Sequence, residues 1–242
     1  MSSNQKKIYF IIISLIILII MGVIFFRKNK NDEEILEKEE IEVIFFDKIS
    51  TYINDGNNLF YLGEFERAIL EFDKVLADDP QNVLVLNNKG LCLFNLGKYA
   101  ESLEYFNKVI EYDKENSEAF YNKGNVLLQL GKYEEAGNYF KKAIDLNHLY
   151  DKAYNNLGMS FYHLGQYEKA AEAYESAAEI NNENDTAFYN LGCVYSLLNQ
   201  KENSILNLSR AIEINRINIK KALRDKDFDN IRESSEFREL VN

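Results

Sequence analysis

The amino-acid sequence predicts an all-α protein in which five helix pairs stack into a solenoid, one transmembrane helix precedes the stack, and a C-terminal helix closes it. Three observations carry this prediction. A pattern of small and apolar residues recurs every 34 residues, a run of 19 residues near the N-terminus has no charge, and the 242 residues include a single proline. Regular helical spacing of apolar residues predicts helices, and proline would interrupt them.

The best-formed repeat spans residues 151–184. Apolar and small residues recur at helical spacing in its first half and again in its second half, and Gly165 lies between the halves. Glycine suits the left-handed conformation that often follows a helix C-terminus. Gly158 lies within the first predicted helix, where glycine costs about 1 kcal/mol relative to alanine. We therefore expect the two helices to approach each other closely there, and the pair to need stacked neighbours.

Four similar units flank this repeat without a gap. The five units cover residues 49–82, 83–116, 117–150, 151–184 and 185–218, and places are numbered within each unit. The eighth places hold Gly56, Gly90, Gly124, Gly158 and Gly192. The fifteenth places hold Gly63, Gly97, Gly131, Gly165 and Asn199, of which asparagine also tolerates the left-handed turn. The twenty-fourth places hold Phe72, Phe106, Phe140, Tyr174 and Leu208.

This pattern resembles the tetratricopeptide repeat, and the resemblance covers residues 49–218. The family usually has tryptophan at the fourth place, where this chain has other apolar residues, and it keeps the family's usual proline only at Pro80. The resemblance implies a right-handed superhelical solenoid of five tetratricopeptide helix pairs, with the first helices on the concave side. Residues 219–242 resemble the closing segment of many tetratricopeptide proteins and are predicted to form a C-terminal capping helix.

The N-terminal part predicts a membrane anchor. Residues 1–7 form a short basic tail, and residues 8–26 are an uncharged run of about 28 Å as a helix, close to the hydrocarbon thickness of a bilayer. The alternatives are a signal peptide, which usually has a shorter apolar stretch and a small-residue cleavage site, and a buried core helix, which would show a polar side. Residues 27–48 are predicted as a charged linker and capping helix. Lysine and arginine flank both ends of the anchor, which leaves the side of the repeat domain undecided.

Composition narrows the function. The net charge of −11 argues against nucleic-acid binding, which depends on neutralising phosphates. The two cysteines, Cys92 and Cys193, lie about three repeats apart, too far to form a disulfide in a solenoid. Because no metal-ligand spacing and no catalytic motif occurs, we expect no metal, no cofactor and no enzymatic activity.

The resemblance implies that places 2, 5, 6, 9, 12 and 13 face a concave groove. The sixth place is asparagine in every unit, which forms a ladder of Asn54, Asn88, Asn122, Asn156 and Asn190. A carboxamide both donates and accepts hydrogen bonds, so the ladder suits the backbone of an extended peptide. The alternative is a structural role, in which each asparagine bonds a neighbouring helix. The other predicted groove residues are Tyr121, Asn125, Lys152, Asn155, Tyr162 and Tyr189.

The sequence thus predicts a membrane-anchored adaptor whose groove binds an extended segment or a helix of another protein. Binding of chaperone C-termini through a carboxylate clamp is not expected, because that clamp needs lysine at the fifth place and no unit has it. Two alternatives stay open. In the first alternative, the chain is a structural component of a membrane complex through self-association. In the second, it is a subunit that positions a substrate for a separate enzyme.

Overall fold

A computed structural model describes residues 12, 15 and 47–242, and the chain divides into two compact units, residues 1–52 and 53–242. In the first unit, residues 12, 15 and 47–52 are helical. The predicted anchor, residues 8–26, and the predicted linker, residues 27–48, lie almost entirely outside the described residues. Within the described part of the chain, no helix is both long and apolar enough to cross a membrane.

The second unit is an all-α solenoid of helix pairs, and its described residues, 53–242, contain no strand. It begins with helical residues 53–61, here called α1. The following helices are α2 Phe65–Asp78, α3 Val83–Asn95, α4 Tyr99–Tyr112, α5 Ser117–Gln129, α6 Tyr133–Leu146, α7 Asp151–His163, α8 Tyr167–Ile180, α9 Asp185–Leu197 and α10 Lys201–Ile214. The odd-numbered members, α1 to α9, are the first helices of the pairs, and α2 to α10 are the second helices.

A glycine of each first helix meets a bulky residue of the second helix, so the predicted close approach is confirmed. A Cβ atom added to Gly124 would lie 2.6 Å from the ring of Phe140, and one added to Gly158 would lie 2.7 Å from the ring of Tyr174. Both rings belong to buried side chains. The fifth pair is looser at this point, because the nearest side chain to a Cβ on Gly192 is Leu208, at 3.4 Å.

The turns between helices use residues suited to their backbone. The residues after the first helices include Gly131 and Gly165, both in the left-handed region, and Asn199 adopts φ 58° in the fifth unit, as predicted. Some of the turns between pairs are capped by asparagine: the Oδ1 of Asn116 accepts from the backbone N–H of Ala119 at 3.0 Å. Such caps satisfy N–H groups that the helix itself leaves free.

The predicted single capping helix is wrong in detail, since the C-terminal cap, residues 217–242, is broken into three short pieces. They are α11 Ile217–Ala222, a 3-10 helix Lys226–Phe228 and α12 Ser235–Val241. The helix is interrupted at Asp225 and at Ser234, where each side chain caps the N-terminus of the element that follows it. The Arg232 guanidinium donates to three backbone carbonyl groups around the turn between the first two pieces. The apolar spacing that predicted a helix instead buries Phe228 and Phe237 under the last pair.

Candidate functional site

Side-chain hydrogen bonds join the first helices of neighbouring units. The Nδ2 of Asn122 on α5 donates to the Oδ1 of Asn87 on α3 at 3.0 Å. The Nδ2 of Asn156 on α7 donates to the Oδ1 of Asn125 on α5 at 2.6 Å. The same contact recurs at both ends of the stack, between Asn88 and Asn57 at 2.8 Å and between Asn190 and Asn155 at 3.2 Å.

The acceptor of this ladder alternates between two places. It is at place 9 in units one and three, Asn57 and Asn125, and at place 5 in units two and four, Asn87 and Asn155. Where place 5 supplies the acceptor, place 9 is apolar, as Leu91 and Met159 show. Places 5 and 9 are one helical turn apart on the same face. Each of these four units therefore supplies one asparagine acceptor to the next unit. The alternation of that asparagine between places 5 and 9 was visible in the sequence.

The ladder amides are thus used to hold helices together. Asn122 is only 5% exposed and Asn155 only 8%, so they present little surface to a ligand. Asn54, at the first end of the ladder, is exposed. The Oδ1 atoms of Asn88, Asn122 and Asn190 accept no hydrogen bond from the described residues. Contacts between repeats therefore use the Nδ2 donors of the ladder. Ligand binding stays a prediction for the Oδ1 atoms that accept no hydrogen bond.

Three predicted groove residues, Tyr121, Asn125 and Asn156, come together with their side chains partly exposed. Together with the exposed Lys152 they are here called the central patch. Asn156 Nδ2 lies 3.3 Å from the Tyr121 hydroxyl as well as contacting Asn125. Lys152 is exposed one helical turn before Asn156 on α7, and it has no ion pair among the described residues. Burial raises the pKa of Tyr121, so its hydroxyl stays protonated at neutral pH. The patch offers an aromatic ring, a carboxamide and a free ammonium group.

Tyr162 and Tyr189, by contrast, are occupied by the C-terminal cap. The Tyr162 hydroxyl donates to Asp227 Oδ2 at 2.7 Å, and the Tyr189 hydroxyl donates to Asp225 Oδ2 at 2.8 Å. Sequence reasoning missed both aspartates. The only available signal was distance along the chain: Asp225 follows Tyr189 by 36 residues, close to the 35 that separate Asn87 from Asn122. Asp225 thus lies near where the ladder residue of a sixth unit would fall.

Among the described residues, the same aspartates and Cys193 form a cluster of side chains of the kind that bind metals. Their ligand atoms all lie within 4.8 Å of one another. The thiol of Cys193 donates to Asp225 at 3.7 Å, and burial raises its pKa well above the ordinary value. Burial, helped by the neighbouring Asp225, also raises the pKa of Asp227.

Comparisons with known proteins agree with the repeat pattern. Residues 121–185 and 185–218 each match a family model described as tetratricopeptide repeat. Residues 61–143 match a family model described as anaphase-promoting complex, cyclosome, subunit 3. A search of curated proteins finds no match.

Solved structures share the fold. A crystal structure of MamA is 27% identical over 74% of this chain and 96% of that chain, with a TM-score of 0.61. YrrB, described as a TPR protein with an unusual peptide-binding site, is 29% identical over 68% of this chain and 85% of that chain, with a TM-score of 0.56. PilW, described as a type IV pilus biogenesis factor, is 17% identical over 79% of this chain and 90% of that chain, with a TM-score of 0.69, which shows the fold alone.

These findings define the class of protein as an all-α solenoid of tetratricopeptide-like helix pairs. The family-model matches and the similar structures support the tetratricopeptide-repeat family for this solenoid.

Proposed function

We propose that this protein is a membrane-anchored adaptor whose central patch binds an extended segment or a helix of a partner protein, and that it has no catalytic activity of its own. The observation that carries the proposal is the different use of the predicted groove residues. Most of them bond a neighbouring repeat or the C-terminal cap, whereas Lys152 of the central patch is exposed and makes no ion pair among the described residues.

The chemistry of the patch fits a polypeptide ligand. Lys152 supplies a flexible, exposed cation suited to a carbonyl or a carboxylate, and hydrogen bonds with Asn125 and Asn156 hold the Tyr121 hydroxyl. The ring of Tyr121 lies 4.9 Å from the ring of Tyr150, which holds it in place. A held tyrosine ring gives a large contact area at a small cost in side-chain entropy.

Two further points support the adaptor. The peptide-binding site in the description of the similar protein YrrB agrees with peptide recognition by a repeat solenoid of this kind. The uncharged run of residues 8–26 is long enough to anchor the chain. Anchoring confines the repeat domain to the membrane surface and raises the effective concentration of partners in the same membrane.

The test is site-specific photocrosslinking from the full-length chain in its native membrane. A photoreactive residue replaces Lys152 in one protein and Lys142 in a matched control, because Lys142 is also exposed but belongs to the second helix α6. We expect a discrete crosslinked partner from position 152 and none from position 142.

Equal recovery from both positions, or no crosslink from position 152, would overturn the proposal. A crosslink from position 152 to a second copy of the chain would replace the adaptor with the self-association alternative. Tyr121→Phe removes a hydroxyl without removing the Asn156–Asn125 bond, so the fold should persist. When it is added to the protein with the photoreactive residue at position 152, the yield of crosslinked partner should fall.

A further inference from the structure

The cap contacts the two tyrosines through a short segment, Asp225–Phe228, that behaves like a bound peptide. Asp225 accepts from Tyr189 on α9, and Asp227, two residues later, accepts from Tyr162 on α7. Phe228 then packs edge-on against Tyr189, with ring centroids 5.7 Å apart at 81°. Three successive contacts therefore come from two carboxylates at alternate positions and the aromatic residue that follows them.

The segment reaches further than stacking on the last repeat requires. Asp227 bonds Tyr162, which lies 65 residues earlier on the preceding first helix, so the segment crosses α9 to reach α7. Tyr162 is two turns after Asn155, on the face of α7 that also bonds Asn190. The segment consequently covers side chains of two units on the surface where the ladder runs.

The bonds also reverse the direction of the ladder. Between units, an asparagine oxygen on the earlier repeat accepts from the amide of the later one. At the end of the stack, Tyr189 and Cys193 donate instead, and Asp225 accepts from both. This end of the solenoid is therefore a donor surface, and its complement is a hydrogen-bond acceptor such as a carboxyl oxygen.

We propose that Tyr162 and Tyr189 form a docking site for segments of the type acidic–any residue–acidic–aromatic, which the chain's own residues 225–228 occupy until a partner with the same chemistry replaces them. This inference rests on the proposed function, since it names a ligand class for the same solenoid surface. Phe228 is fully buried, so the partner must bring an aromatic residue to refill its pocket.

Competition with the internal segment limits the affinity of a partner. A segment tethered by a short linker acts at an effective concentration on the order of millimolar. An external segment therefore binds well only when the internal contacts are weakened or when its own contacts are stronger. Replacing Asp225 and Asp227 removes both internal acceptors and leaves the tyrosines in place.

The probe is a fluorescent peptide with the sequence of residues 222–232, and binding to full-length protein is followed by fluorescence anisotropy. We expect the double variant Asp225→Ala/Asp227→Ala to bind it at least about tenfold more tightly than the wild type. Asp145→Ala is the matched control, since Asp145 is exposed on α6 and bonds no residue of the cap among the described residues, and it should bind like the wild type. A control peptide with alanine at both aspartates should not bind.

Adding Tyr162→Phe and Tyr189→Phe to the double variant should weaken binding again by at least about tenfold. Equal binding of the two peptides, or no effect of the tyrosine substitutions, would overturn the inference. A second measurement reports position instead of affinity: the peptide with a photoreactive residue in place of Phe228 should crosslink to α7 or α9 of the Asp225→Ala/Asp227→Ala variant. Crosslinks only elsewhere, with a partner still captured from position 152, would overturn this inference and leave the proposed function standing.

Discussion

The side-chain amide of Asn122 donates to the Oδ1 of Asn87 at 3.0 Å, across the boundary between the second and third units, and both side chains are buried. Asn122→Ala would leave a buried carbonyl oxygen without its partner, so we expect a loss of about 1–3 kcal/mol in the free energy of unfolding. Urea denaturation of the full-length chain measures it. Asn54→Ala, at the exposed end of the ladder, should change stability by less than about 0.5 kcal/mol. Equal losses in the two variants would contradict a structural role for the ladder.

Glycine at the eighth place should matter in four units and hardly at all in the fifth. Gly124→Ala places a methyl group 2.6 Å from the Phe140 ring, and we expect it to destabilise the fold by about 1–3 kcal/mol. Gly192→Ala meets its neighbours at 3.4 Å, so the better helix propensity of alanine should leave stability unchanged or raise it by about 0.5–1 kcal/mol. Thermal unfolding of the two variants side by side decides the point, and a rise in melting temperature for Gly124→Ala would refute it.

The C-terminal cap should contribute strongly to stability. Phe228 is fully buried against Tyr189 and Phe237, and Phe228→Ala leaves a large cavity there. We expect it to cost about 3–5 kcal/mol in the free energy of unfolding. Leu206→Ala on α10 is the control, because that side chain is 68% exposed and its loss should cost less than about 0.5 kcal/mol. A cost for Phe228→Ala as small as that of the control would show that the cap is dispensable.

The pH dependence of stability should report on Asp227. Burial, and the neighbouring carboxylates of Asp225 and Asp229, raise the pKa of Asp227 despite the bond from Tyr162. A carboxyl with a higher pKa in the folded chain binds its proton more tightly there, so protonation stabilises the fold. This contribution is present at low pH and is lost as pH rises through the raised pKa. The melting temperature of wild type minus that of Asp227→Asn should therefore increase as pH falls from about 7 to about 4.

Asp145→Asn is the control for that titration, since its side chain is exposed on α6 and makes no hydrogen bond or ion pair among the described residues. Its melting-temperature difference from the wild type should change less over the same range. A difference for Asp227→Asn that shrinks as the pH falls would mean that the carboxylate, not the acid, is the form that the fold favours.

The helix pairs were predictable because their determinants are local and repeated. Gly158 and Tyr174 lie 16 residues apart within one unit, and five copies of the pattern appear in register. Gly165 and Asn199 were recognisable as turn residues for the same reason, because the left-handed conformation restricts which residues a position accepts. Periodicity alone, however, does not separate a capping helix from a chain that turns twice and still buries Phe228 and Phe237.

The candidate site was predictable only in part. The resemblance to the tetratricopeptide repeat implied that Tyr121, Asn125 and Asn156 share one face of neighbouring first helices, and the structure brings them together. The exposure of their side chains depends on which other residues pack around them, and the spacing of residues in the sequence does not give that information. Asn155 was predicted to face a ligand, but it bonds Asn190 of the next repeat and is buried.

The sequence by itself determined the repeat length, the close approach of the paired helices at the eighth-place glycine, and the recurrence of asparagine at one place in every unit. Each of these follows from periodicity, which a chain displays before it folds. Only the tertiary structure decided that the ladder amides bond the preceding repeat and that Asp225 and Asp227 occupy Tyr189 and Tyr162. The two aspartate contacts depend on how the chain reverses after α10, where short non-repeating elements set the path and no period in the sequence encodes it. The ladder bonds depend on how closely the first helices of neighbouring units pack.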